Sequence, residues 1–319
     1  METMIREDVQ ALKRIQANLE LCILGKTDEI KLLITAMLAG GHVLLEDVPG
    51  TGKTVLIKAL AKSIRGQFRR IQCNPDLLPT DITGVSIYHP KDEVFMFRSG
   101  PIMTNILLAD EINRATTKTQ SALLEAMEER HITVDGETHE LPKPFLLLAT
   151  QNPIDFEGTY ILPEAQLDRF MMKFSLGYPD EQTETRMIIS QSVAHPLDSL
   201  EPVAEVEQIL GIQQLVKQVH LDEAVAGYLV SITRLTREHP LIYLGASPRA
   251  TLALVMAAKA YALLQERDYV IPDDIKFLAP YVLGHRILLQ AEARMEGATV
   301  QSVLHSVLQQ VKVPVRWEK

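Results

Sequence analysis

Residues 44–54 read LLEDVPGTGKT: an apolar run, a bend at Val48-Pro49, then Gly50-Thr51-Gly52-Lys53-Thr54. A strand that turns through glycines into a helix aims consecutive backbone N–H groups, and the positive end of that helix, at one point in space. Side chains there would obstruct an anion. The flanks suit such a loop, because HVLLE precedes it as a strand and VLIKALAKSI follows with Leu56, Leu60 and Ile64 at helical spacing. Lys53 would then reach the β- and γ-phosphates of a nucleotide, and the Thr54 hydroxyl would ligate Mg2+. The strict spacing G-x-x-x-x-G-K-[ST] wants glycine where this chain has Asp47. Aspartate tolerates unusual backbone angles, so the loop survives the change if the carboxylate points away from the phosphates. Taken alone, the stretch is equally compatible with a plain turn and helix start.

The rest of the first half supplies a context. HVLLED, FRRIQC, NILLAD, FLLLAT and MMKFSL are short apolar runs with helical patterns between most of them, which predicts a parallel sheet covered by helices. After Pro179 the pattern becomes helical, as in Asp222 to Arg237 with Val225, Leu229, Ile232 and Leu235 on one face, and no strand is expected there. AHPLDSLEPVAEV reads as a connection. The chain therefore divides into an α/β domain, residues 1–179, and an all-α helical domain, residues 180–319. Two excursions interrupt the first domain: residues 84–98 around a Pro-Lys-Asp-Glu turn, and residues 131–141 with Asp135-Gly136 at the centre. Both predict β-hairpins.

A second acidic strand end follows in NILLADEINRATTKTQSALLEAMEER. Asp110-Glu111 would put carboxylates at the C-terminal edge of the sheet, where ligands bind in open α/β folds. Asp110 suits a magnesium shell and Glu111 suits polarisation of a water. Thr117-Lys118-Thr119-Gln120 has the form of a capping box. PFLLLATQNP is a further buried strand, ending near Asn152, which suits hydrogen bonds to a γ-phosphate and a water. Arg249 occupies the first turn of a helix whose start is marked by Ser247 and Pro248. A cation there opposes the helix dipole at a cost of about 0.3–1 kcal/mol, which points to an anionic ligand near that helix start. Arg169, at the end of LPEAQLDRF, suits a surface ion pair.

Composition narrows the function classes. The chain has 319 residues and a formal net charge of −9, which argues against non-specific nucleic-acid binding. Neither an apolar signal core nor a run of membrane-spanning length is visible, so a cytoplasmic protein is expected. Cys22 and Cys73 lie far apart without metal-ligand spacing and read as core residues, and the histidines are scattered, with His131 and His139 placed in a hairpin.

Along EDVPGTGKT, LLADEINRATTKTQSALLEAMEER, LLLATQNPIDFEGTYILPEAQLDRFMMKF and SPRATLALVMAAKAYALLQERDYVIPDDI, the chain resembles the MoxR group of AAA+ ATPases, in the helix-2-insert clade. The resemblance spans nearly the whole sequence. It implies a five-stranded αβα core of the P-loop NTPase type, an all-α helical lid, a helix-2 insert at residues 84–98 and a pre-sensor hairpin at 131–141. It also implies ATP and Mg2+ as ligands, a ring of identical subunits, commonly a hexamer, and a chaperone-like role on client proteins, often ones with a von Willebrand factor A domain. Carried over, Val48, Pro49, Gly50, Thr51, Gly52, Lys53, Thr54 and Val55 form the Walker A segment, and Asp110 and Glu111 the Walker B pair. Asn152 becomes sensor 1 and Arg249 sensor 2, facing its own subunit's γ-phosphate. Arg169 becomes the arginine finger for a neighbour, with Arg114 the second candidate, and Gly25 borders adenine. The alternatives are a nucleic-acid motor of the same clade, a chelatase-type motor subunit, and a nucleotide switch that does not hydrolyse.

Overall fold

The computed structural model describes residues 2–152, 159–191 and 196–314. Residues 153–158, within one of the matching segments, and residues 194–195 of the expected connection lie outside that set. The strands in chain order are β1 (Val43–Glu46), β2 (Phe68–Gln72), β3 (Gly84–His89), β4 (Val94–Ser99), β5 (Ile106–Asp110), β6 (His131–Val134), β7 (Glu137–Glu140), β8 (Leu146–Gln151) and β9 (Met172–Phe174), followed by β10 (Ile242–Leu244) and β11 (Leu288–Leu289). Five of them make one sheet in the order β2-β5-β8-β1-β9, with every pairing parallel.

Burial on both faces explains why the inner strands read as continuous apolar runs. Val43, Leu45, Ile106, Leu108, Leu146 and Leu148 belong to one apolar cluster, while Leu44, Leu107, Ala109, Leu147 and Ala149 belong to another. That is the strand period of two, distributing side chains to the two faces. The first cluster takes in Leu56, Ile57 and Leu60 of the helix Lys53–Ser63 and continues into the C-terminal helices through Ile212, Leu229, Leu254 and Leu278. The second takes in Leu123, Leu124 and Met127 of the helix Thr117–Glu129. The cores are thus divided by the sheet, and the larger one joins both halves of the chain.

Both expected hairpins form: β3 pairs with β4, and β6 with β7. In the second, Asp135 and Gly136 both have positive φ, 51° and 85°, as a type I′ turn requires. His139 does more than decorate its hairpin. Its ring stacks on Phe97 of β4 with centroids 4.0 Å apart, tying the two hairpins together.

Two local expectations need correction. β10 and β11 form a short antiparallel pair in the region expected to be purely helical; strands this short carry no legible periodicity. The helix expected to start at Thr117 is capped by Thr116, whose Oγ1 accepts from the Thr119 N–H at 3.4 Å. Gln120 is buried and donates to the Ile112 and Tyr160 carbonyls, so no capping box forms.

Under the N-terminal end of the sheet, His42 Nδ1 accepts from the Leu147 N–H at 2.9 Å. Its Nε2 therefore carries the proton and donates to the Met127 carbonyl at 3.2 Å. Burial, with the Arg130 guanidinium acting the same way, holds this imidazole well below its ordinary range. Burial and Arg286 do likewise for His285. Both rings are neutral in the folded chain but take up protons below about pH 6.5 once unfolded. Their contribution to stability is present above that pH and lost as pH falls, by up to about 1.4 kcal/mol per pH unit for each ring. Thermal melting at pH 7.5 and 5.5 should show a lower Tm at the acidic pH; equal values would contradict the assignment.

Candidate functional site

A cavity of about 440 Å3 opens where β1, β5 and β8 end. Gly50 and Gly52 have φ of 88° and 89°, left-handed values that strain any residue with a side chain. Gly52 leads directly into the helix Lys53–Ser63, whose first N–H groups face the loop. Pro49, Gly50, Thr51, Gly52, Lys53, Thr54 and Val55 line the cavity. Lys53 Nζ folds back on the loop and donates to the Val48 carbonyl at 2.7 Å. Burial lowers the pKa of its ammonium, against the opposing pull of Asp47, Asp110 and Glu111. Val48 itself lies outside the lining, and so does Gly25, whose φ is 73° and whose neighbour across the chain is Thr183.

Asp47 is neither idle nor loose. Its side chain is buried; Oδ2 accepts from the backbone N–H groups of Leu176 at 2.7 Å and Gly177 at 3.1 Å, and Oδ1 accepts from Val48 N–H at 3.1 Å. The carboxylate fastens the start of the phosphate loop to the segment that leaves β9.

Asp110, Glu111 and Asn152 line the opposite wall. Thr150, which the sequence did not single out, links them: its hydroxyl donates to Asp110 Oδ1 at 2.6 Å and accepts from the Glu111 N–H at 2.8 Å. Glu111 sits at φ 56°, a strained setting for a side chain of this kind, and such strain concentrates at functional sites. Arg70 and Gln72 of β2, which the sequence did not single out, also line the cavity and touch the two acids. Cys73, just beyond β2, is buried, and burial with the nearby Asp110 and Glu111 pushes its thiol to about 12.

The arginines are placed differently. Arg114 Nε lies 3.2 Å from Glu111 Oε2 in its own chain. Arg169 and Arg249 are absent from the cavity lining and meet on Glu128, Arg249 through Nη2 and Arg169 through Nε at 3.7 Å. They line a separate depression with Gly41 and His42, which precede β1, whereas the phosphate loop follows it. The strand alone separates the two ends by about 13 Å. Arg249 thus lies at the end of β1 away from the phosphate loop, and the anion beside its helix start is the Glu128 carboxylate rather than a ligand. Ser247 caps that helix by accepting from the Ala250 N–H at 3.1 Å, as expected.

A family model described as "ATPase family associated with various cellular activities (AAA)" matches residues 42–172, and one described as "AAA lid domain" matches residues 234–307. Chaperone MoxR1 of Mycobacterium tuberculosis is 40% identical over 96% of this chain and 83% of its own length. The chain belongs to the MoxR family of AAA+ ATPases. The uncharacterized protein YeaC of Bacillus subtilis is 54% identical over 92% of both chains. A solved structure from Cytophaga hutchinsonii, assigned as an ATPase, superposes with a TM-score of 0.90 at 37% identity, covering 98% of each chain. This MoxR-family ATPase accordingly has the AAA fold with its lid and binds nucleotide. Among the described residues, no helix is long and apolar enough to cross a membrane.

Replacing Asp47 by glycine would restore the strict loop spacing yet leave the buried Leu176 N–H and the part-buried Gly177 N–H without their acceptor. We expect Asp47→Gly to lose about 1–3 kcal/mol of stability, read as an earlier urea unfolding midpoint. An unchanged midpoint would show that the clamp contributes nothing.

Proposed function

We propose that this MoxR-family ATPase hydrolyses ATP in a Mg2+-dependent reaction and couples it to remodelling or activation of partner proteins, working as a ring of identical subunits, most simply a hexamer. In this reading residues 1–179 form the nucleotide-binding core and residues 180–319 the lid. One observation carries the proposal: Lys53, Thr54, Asp110, Glu111 and Asn152 converge on one cavity, while Arg169 and Arg249 are gathered at the other end of β1. The first set is a nucleotide site whose nearby arginines, Arg70 and Arg114, are already paired with Asp110 and Glu111. The second is a pair of cations without a phosphate in their own subunit. Head-to-tail assembly brings such unlike surfaces together.

The donor set suits a hard cation, since the Thr54 hydroxyl and the Asp110 carboxylate lie in the same cavity and offer only oxygen. When bound there with ATP, Mg2+ would neutralise charge on the β- and γ-phosphates. The loop N–H groups and Lys53 bind the phosphate oxygens, Glu111 accepts the proton of the attacking water, and Asn152 orients that water. Arg169 and Arg249 of one subunit serve the nucleotide of the next. Gly25 borders the adenine, and Val48 belongs to the loop, where its carbonyl accepts from Lys53. The apolar side chains along the β3–β4 hairpin, with Phe95 73% and Met96 53% exposed, support contact with protein clients. Proteins with a von Willebrand factor A domain are the first clients to test, and a cytoplasmic setting agrees with this reading.

Glu111→Gln should bind ATP while its turnover falls about 100-fold or more, and Lys53→Ala should lose binding or turnover. Full turnover by Glu111→Gln would remove the assigned base. Mixed rings of Arg169→Ala or Arg249→Ala subunits with Lys53→Ala subunits should regain part of the activity each variant lacks alone. Assembled rings without any recovery would contradict action between subunits.

A further inference from the structure

β2 is an edge strand, and its register sets Gln72 beside Asp110. Arg70 and Gln72 are two residues apart and so project from the same face of the strand. Arg70 Nη2 donates to Asp110 Oδ2 at 2.6 Å and to Gln72 Oε1 at 2.7 Å, and Gln72 Nε2 donates to Glu111 Oε2 at 3.1 Å. The other Asp110 oxygen already accepts from Thr150 at 2.6 Å. Both oxygens of the carboxylate are thus engaged, one of them by a cation on the cavity wall.

We propose that Arg70 is a positioning residue that stands in for the divalent cation at Asp110 and is displaced when the metal–nucleotide complex loads. The inference rests on Asp110 as a metal-binding residue, as argued above. Its physical basis is charge: Asp110 and Glu111 are adjacent carboxylates in one cavity, and leaving a partly buried carboxylate without a counter-charge is unfavourable. Arg70 supplies that charge to Asp110 and holds the carboxylate oriented along the strand end. A divalent ion brings twice the charge to the same oxygen, so guanidinium and metal compete for it. Gln72 is held by Arg70 and itself holds Glu111, so releasing the arginine also loosens the hydrogen bond on the proposed base. Arg70 is part-exposed at an edge strand, which leaves it room to withdraw.

The test is metal binding to the full chain saturated with ADP, using Mn2+ read by electron paramagnetic resonance and Mg2+ as competitor. Arg70→Ala should bind Mn2+ about two- to fivefold more tightly than the natural chain, the range expected for losing one competing, part-exposed ion pair. Arg70→Lys should fall between the two. In an Asp110→Asn background, Arg70→Ala should have no further effect, because the competition is for that carboxylate. Unchanged or weaker Mn2+ binding by folded, ADP-bound Arg70→Ala would overturn the proposal. An equal gain in the Asp110→Asn background would also overturn it, by reducing Arg70 to a distant charge. If Asp110→Asn alone binds Mn2+ as the natural chain does, the metal assignment fails first and the inference with it.

Discussion

The parallel register of β1, β8 and β5 sets the ends of three strands level, and the chemistry of the site depends on it. Glu46 pairs with Gln151, and Ala109 with Ala149, so the residues that follow these pairs emerge at the same edge. The phosphate loop leaves β1 there, Asp110 ends β5, and Thr150 reaches across to Asp110 because the next strand holds it alongside. A shift of one residue in any of these strands would turn the inward side chains outward. The alternation of Leu44 and Leu107 against Leu45 and Leu108 between two apolar clusters opposes such a shift. Packing of the leucines therefore fixes where the acids stand.

Charge completes the arrangement. At the C-terminal edge Asp110 and Glu111 are matched by Arg70 and Arg114, and at the N-terminal end Glu128 is matched by Arg169 and Arg249. Each of these carboxylates and arginines is held by an internal partner of opposite sign, while Lys53 rests on the Val48 carbonyl. In the proposed ring, ligand and neighbouring subunit would act by exchange, replacing one ion pair with another, which would keep the desolvation cost of each charge low in every state. Asp47 is the exception. Its carboxylate is committed to backbone N–H groups of Leu176 and Gly177, so it serves the fold of the loop rather than the exchange.

The five sheet strands, both hairpins, the phosphate loop and the acidic strand end were legible because each is written in local residues: apolar runs of strand length, Asp135-Gly136, paired glycines before Lys53. What escaped is written across the chain. The acceptors of Asp47 are matched to N–H groups about 130 residues away, and backbone N–H groups leave no mark in a sequence. Thr150 and Arg70 each read as one more strand residue until the neighbour across the sheet is known. Arg249 breaks a helix-dipole rule, which pointed to an anionic ligand, but only the fold shows a side chain of the same protein, Glu128, beside it. β10 and β11 are too short to carry a period.

The central claim is that one subunit holds the nucleotide and another supplies the arginines. Specific ATPase activity measured against protein concentration, with sedimentation at the same concentrations, tests it most directly. The account predicts activity per subunit that rises steeply as monomers assemble and levels off once rings are complete. Constant activity per subunit, extending down to concentrations at which the chain is monomeric, would contradict it.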